Sequence, residues 1–321
     1  MTNKRYNNLK LDIPEIDQIP HFMKILDDLI WGNNVMLVGA AGTGKTTLAE
    51  KISYSLFGRH ERDTKALPYI TINCSQWTSP TEIKGGQTMT GYKEGALIQA
   101  WRDGKILILD ELPKLDPNTA SLLNDALAKS ATQGAVIFNG LNEGIAKHPD
   151  FGCIATGNTT GRGFSKNYVG NNKQDASLLD RFSGCIYHIG FNEKLEKALI
   201  YPHLITHCHH IRKAMLRYES KDATDDNTED IMTLRTMLNM QRSYILELAR
   251  EMGLKDHQDT PYRSYPHGKT LKDALESYFW VMPLEKAEKI KEAISHDGFI
   301  NTYKSSEAKA NFLKEYTRRN A

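Results

Sequence analysis

The 321-residue chain is short of cysteine, of net charge and of long apolar runs, and each shortage removes a class of function. Its four cysteines, Cys74, Cys153, Cys185 and Cys208, form no CxxC pair, so neither a disulfide scaffold nor a zinc ribbon is expected. Three of them sit in apolar, strand-like runs and read as small core residues of a reducing compartment. No apolar run approaches the roughly 20 residues that span a bilayer. Residues 1–10 are polar and Asn-rich, unlike a secretory leader, and a cytoplasmic protein with no membrane partner is expected. Forty-one basic against 39 acidic residues leave a net charge of +2, which gives no bulk argument for nucleic acid. Internal repeats and low-complexity tracts are missing as well. The apolar fraction of 40% and charged fraction of 25% are those of an ordinary globular chain, long enough for one large or two medium domains.

What is present centres on Gly39-Ala40-Ala41-Gly42-Thr43-Gly44-Lys45-Thr46. It follows the apolar run Val35-Met36-Leu37-Val38 and leads into Thr47-Leu48-Ala49-Glu50-Lys51-Ile52, which has helical spacing. A strand, a glycine-rich loop and a helix in that order make a phosphate-binding loop. Glycines let backbone N–H groups turn inward around an anion, and the helix start adds unpaired donors and a positive dipole end. In this pattern Lys45 reaches the β- and γ-phosphates of ATP, and the Thr46 hydroxyl sits on Mg²⁺.

The rest of the chain arranges itself around that loop. Apolar residues recur at helical spacing from Glu15 to Trp31, with a loose arm over residues 1–14 before them. Tyr69-Ile70-Thr71-Ile72, Ile106-Leu107-Ile108-Leu109, Gly152-Cys153-Ile154-Ala155-Thr156 and Ser183–Ile189 read as further strands. Helices are expected over 96–102 and 116–129, the second capped by Asp116 with Pro117 at its first position. The stretch 135–151 reads as a hairpin turning at Asn139-Gly140. Strands alternating with helices predict an α/β domain over 15–190, its parallel sheet covered by helices on both faces. From about residue 191 only helical patterns remain, predicting an α-helical lid domain over 191–300 and a charged C-terminal tail over 301–321. Thr78–Gly95, rich in Gly, Thr and Pro, reads as a functional loop.

Two further groups carry chemistry. Asp110-Glu111 closes the apolar run 106–109; beside a phosphate loop, Asp110 orients Mg²⁺ and Glu111 polarises the attacking water. Asn158 ends the next strand and points to the γ-phosphate region, or caps a turn before Thr159-Thr160-Gly161. His203 and His207 share an i, i+4 helix face beside His209, His210 and Cys208. That spacing suits zinc, but no third ligand stands at a sensible spacing, and the plainer reading is a helix with partly exposed imidazoles.

The order of phosphate loop, Leu109-Asp110-Glu111, Ala155-Thr156-Gly157-Asn158 and Leu179-Asp180-Arg181-Phe182 resembles the AAA+ ATPases. Within them the chain resembles the MoxR and dynein-related branch, and most of all the ATPase subunit of aerobic cobaltochelatase. His148-Pro149-Asp150-Phe151, Gly91-Tyr92-Lys93-Glu94-Gly95 and the segment 168–181 carry the finer likeness, which covers about residues 13–250. The resemblance implies a Mg²⁺-dependent ATPase in which Glu111, Asn158, Arg181 and Arg235 are catalytic. Asn158 is then the first sensor. Arg181 is an arginine finger reaching a neighbouring subunit, and Arg235 a second sensor, although Thr233-Leu234-Arg235 replaces the usual Ser-Pro-Arg. ATP is then bound by Gly39, Ala40, Ala41, Gly42, Thr43, Gly44, Lys45, Thr46 and Thr47, and Mg²⁺ by Thr46 and Asp110. It also implies a homo-oligomeric, hexameric ring, with 78–95 and 135–151 facing a substrate. The partner is then a separate protein, in the resembled families one with a von Willebrand factor A domain. The bland alternative for Arg181 is a surface salt bridge to Asp180 or Asp175. A nucleic-acid-dependent motor or loader, phage-encoded ones included, is the alternative function, kept open by Lys84, Lys93, Arg162 and Lys166.

Overall fold

The computed structural model describes residues 19–59, 67–162, 170–219, 232–255 and 268–320. The arm over 1–14 and Lys166 lie outside them, as does the polar sequence Lys221–Glu229 and, but for Gly268, the polar sequence Asp256–Gly268. The chain forms two compact units that meet at Gly190 and Phe191 in sequence.

In the first unit, the four-residue run Val35–Val38 is strand β1, buried throughout. It is joined by β2 (Tyr69–Asn73), β5 (Ile106–Asp110), β8 (Gly152–Gly157) and β9 (Ile186–His188) in one sheet of order β2-β5-β8-β1-β9. All four pairings are parallel. Side chains of a strand alternate between faces, and here both faces are covered. Val35, Leu37, Ile106, Ile108 and Ile154 pack with Phe22, Ile25 and Leu29 of α1 (Phe22–Trp31) and Leu48 and Ile52 of α2 (Lys45–Leu56). Met36, Leu107, Leu109, Cys153 and Ala155 pack on the other face with Ile83 of α3 (Pro80–Lys84), Leu97 and Trp101 of α4 (Ala96–Asp103), and Ala120. Such continuous apolar strands occur where no face meets water.

Several elements depart from their sequence patterns for local reasons. Of the helix expected from Glu15, residues 15–18 lie outside the described ones, and α1 starts at Phe22. Pro20 disfavours helix at Ile19, and His21 is left-handed with φ 61°. The helix expected over 116–129 is broken into α5 (Pro117–Ala120), a 3₁₀ turn (Ser121–Leu123) and α6 (Asn124–Ala128). Asp116 caps its start, accepting from Asn118 N and Thr119 N at 3.0 Å, while the Ser121 hydroxyl bonds back to Asn118 O at 2.6 Å. The loop 78–95 folds as α3 and a hairpin of β3 (Gly86–Thr88) with β4 (Gly91–Lys93). A second hairpin, β6 (Val136–Phe138) with β7 (Gly144–Ala146), turns over Asn139–Glu143 rather than on Asn139-Gly140 alone, with Asn142 left-handed. α7 (Ala176–Asp180) leads into β9.

The second unit is helical: α8 (Glu193–Leu199), α9 (Pro202–Glu219), α10 (Leu234–Glu251), α11 (Leu271–Phe279), α12 (Leu284–Ala293), α13 (His296–Thr302) and α14 (Ser306–Asn320). The last of these corrects the expectation of a charged tail over 301–321. Ala308 and Phe312, four residues apart, enter the core on one face of α14. Arg319 donates to Leu199 O, Ala198 O and Ile200 O at 2.6, 3.0 and 3.2 Å.

Candidate nucleotide site

The site stands at the carboxyl ends of β1, β5 and β8. β1 runs parallel between β8 and β9, so the loop leaving it opens where the strand order reverses, the position at which open α/β sheets bind ligands. Glycine is required by contact at Gly39, where a Cβ would stand 2.0 Å from Ile189 O. At Gly44 it is required by a φ of 89° immediately before α2.

Lys45 opens α2 and is 8% exposed. Its Nζ donates to Gly39 O at 2.9 Å, Ala40 O at 2.8 Å and Asn158 Oδ1 at 3.0 Å. Thr43 Oγ1 donates to Ala40 O at 3.0 Å, and Thr47 is exposed on the first turn. Thr46 Oγ1 donates to Asp110 Oδ1 at 2.7 Å, and Thr156 Oγ1 donates to the same oxygen at 2.6 Å. Two hydroxyls and a carboxylate on one spot form a hard oxygen donor set of the kind Mg²⁺ takes. Glu111 follows in a left-handed conformation, φ 58°, its N–H donating to Thr156 Oγ1 at 3.0 Å. Its carboxylate rests on Lys114 Nζ at 2.5 Å. The structure thus gathers Lys45, Thr46, Asp110, Glu111 and Asn158 at one end of the sheet.

Thr156 and Lys114 belong to that end and carry no role in the sequence reading. Thr156 has a periodic signal, since it lies two residues before Asn158 on a strand. Lys114 stands three residues after Glu111. Cys74, at the end of β2, is pushed up to about 12 by burial and then by Asp110 and Glu111, so its thiol stays protonated beside the acidic pair. Burial also raises Cys185 to about 11 and Cys208 to about 12, and all four cysteines are free and buried.

Arg181 stands elsewhere. Its backbone oxygen accepts from Asn34 Nδ2 at 3.1 Å, and Asn34 immediately precedes β1 whereas Gly39 immediately follows it. The two ends lie about 16 Å apart at about 3.3 Å per residue. Neither expected salt bridge forms among the described residues: Asp175 caps Ser177 and Asp180 accepts from Ser183, and Arg181 Nε is buried without a hydrogen-bond partner. Arg235 is exposed in the first turn of α10, after the capping Thr233.

The histidines of α9 divide. His203 and His210 are exposed and His207 and His209 are buried, correcting the picture of partly exposed imidazoles. His207 stacks on Phe299 with ring centroids 3.8 Å apart and meets His296 at 3.2 Å. His209 bonds to Glu196 at 2.8 Å, which also holds Arg212. No group of three or more His, Cys, Asp or Glu able to hold a metal occurs among the described residues.

A phosphate loop at the switch point of a parallel sheet, with an acidic pair at the end of β5, separated from β1 by β8, defines a P-loop nucleotide-binding domain. More narrowly, residues 34–182 match the AAA domain of the dynein-related subfamily. The chain is 27% identical over 173 residues to the mouse von Willebrand factor A domain-containing protein 8, covering 49% of this chain and 9% of that one. It is 31% identical over 164 residues to the uncharacterized protein YojN of Bacillus subtilis, 48% of this chain and 47% of the other. An uncharacterized Staphylococcus epidermidis protein is 30% identical over 158 residues, 46% of this chain and 53% of that one. The match thus spans about half the length of these bacterial relatives. Among solved structures, Brucella abortus NtrX in complex with ATP gives a TM-score of 0.46 at 15% identity, covering 98% of this chain and 69% of that one. That likeness is too loose to carry an assignment. No helix among the described residues is long and apolar enough to cross a membrane.

Proposed function

We propose that the chain is a Mg²⁺-dependent ATPase that works as a homo-oligomeric ring, hexameric as in the resembled families, and remodels a separate protein partner. The observation that carries this reading is the division of the machinery between the two ends of β1. Lys45, Asn158, Thr46, Asp110 and Glu111 share one end and Arg181 the other.

Lys45 and the loop N–H groups bind the β- and γ-phosphates, the lysine exchanging its carbonyl partners for phosphate oxygens. Thr46 and Asp110 would hold Mg²⁺, which when bound neutralises charge on the phosphate oxygens. Thr156 fixes the Asp110 carboxylate and the backbone of Glu111 at once. Glu111 leaves Lys114 to take a proton from the attacking water, and Asn158 holds that water without adding charge. Arg181 stabilises transition-state charge at the site of the next subunit. Arg235 serves as a second sensor. The family match supports the nucleotide chemistry, and the printed name of the mouse relative supports a link to von Willebrand factor A domains.

Glu111→Gln is the direct test of the hydrolytic reading. It should bind ATP with little change while turnover falls by about 10²–10⁴, the usual range for a lost general base. Turnover near the wild-type rate would place the base elsewhere.

A further inference from the structure

Asn34 is a buried polar residue, 4% exposed, in a position the nucleotide chemistry does not touch. It ends the turn after α1 and starts the strand that leads to the phosphate loop. Its carboxamide donates twice, to Leu127 O at 2.9 Å in α6 and to Arg181 O at 3.1 Å at the C-cap of α7. Carbonyls at helix ends lack intrahelical donors, and one amide here reaches two of them, on helices that are 93 and 147 residues away in sequence. Asn34 Oδ1 and Arg181 Nε are both buried without a hydrogen-bond partner. Both residues line a hollow of about 510 Å³ together with Asp28, Asn33, Asp180 and Ser183. The Arg181 backbone is therefore pinned, while its guanidinium is not tied down by the acids beside it.

We infer that Asn34 is the positioning residue for Arg181: its amide fixes where the finger leaves the subunit, and so sets the aim of the guanidinium at the neighbouring site. The inference rests on the reading of Arg181 as acting in trans. A side chain that must meet a reacting group in another subunit needs a fixed point of departure, because small misplacements of catalytic groups cost large factors in rate. An aliphatic residue at 34 would fill the space but take the donor from Arg181 O, whereas Leu127 O would keep the Ser130 hydroxyl, and the end of α7 would be free to shift.

A merely structural role predicts a different phenotype. Loosening the start of β1 would disturb the loop at its other end and weaken nucleotide binding. The test uses the full-length chain, with folding checked by circular dichroism and nucleotide affinity by titration with a fluorescent ATP analogue. Asn34→Ala should keep affinity within about threefold and lose at least about tenfold in turnover. Mixed with Lys45→Ala, which keeps an intact finger, it should regain activity; mixed with Arg181→Ala it should not. Asn34→Ser, retaining one donor, should fall between wild type and Asn34→Ala, and it serves if the alanine variant does not fold. Recovery with Arg181→Ala, loss of nucleotide affinity, or wild-type turnover in both variants would overturn the inference. The mixture of Arg181→Ala with Lys45→Ala is the control. If it stays inactive, the in-trans reading itself fails; if it recovers while the Asn34 variants do not follow Arg181, only the role of Asn34 fails.

Discussion

At the scale of single residues, the site is a competition between internal partners and a triphosphate. Lys45 already donates to three oxygens, so phosphate must replace bonds of similar geometry, and its advantage is the stronger charge-assisted bond. On the proposed reading Lys45→Ala removes a cation that meets two phosphates, and nucleotide affinity should fall by at least about a hundredfold in a fluorescent-analogue titration, about 2.7 kcal/mol or more. Asn158→Ala should differ in kind. It frees Lys45 from one partner but takes the amide from the proposed water site, so affinity should hold while turnover falls. Equal loss of affinity in both variants would mean that Asn158 acts only through Lys45.

At the scale of elements, the second unit offers a pH test. Burial, followed by the neighbouring charges of His296, His210 and His203, lowers His207 from its ordinary 6.5 to about 3. The unfolded chain binds that proton more readily than the folded one between those values, so the stabilisation is complete above about pH 6.5 and is lost as pH falls toward 3. Burial lowers His296 and His203 in the same direction. The melting temperature should therefore drop between pH 7 and pH 5, and His207→Phe should flatten that slope; an unchanged slope would assign it to other groups. The same helices show what the sequence could carry. The phosphate loop and Asp110-Glu111 were legible because strand, loop and helix are contiguous and each residue's surroundings are local. The five strands were legible because runs such as Ile106–Leu109 have no polar face to hide. The pairing of His209 and Arg212 with Glu196 was not, since it joins two helices. Nor was α14, where two buried residues among charges are too sparse a stripe to read. Thr156 reads in the sequence only as part of a strand end, because its bond to Asp110 closes over 46 residues.

At the scale of the whole molecule, the proposal makes two kinds of surface matter: the one that takes the partner and the one that completes the neighbour. Met89, at the tip of the β3–β4 hairpin, is fully exposed, and the base of that hairpin packs on the second one, where a Cβ on Gly140 would stand 2.1 Å from Gly85 O. Met89→Ser should leave basal hydrolysis and melting temperature unchanged and lower stimulation by a protein partner, and a fall in basal rate would instead make the tip part of the catalytic fold. A ring ATPase of this kind requires that one subunit's Arg181 serve another's phosphate loop. The most direct measurement is ATP turnover in mixtures of Arg181→Ala with Lys45→Ala, subunit exchange being verified separately. A finger acting in trans is worth about 10³–10⁵ in rate, so each variant alone should be nearly inactive. Mixing should then restore turnover at interfaces that join an intact loop to an intact arginine. Inactivity at every mixing ratio, with exchange demonstrated, would contradict it.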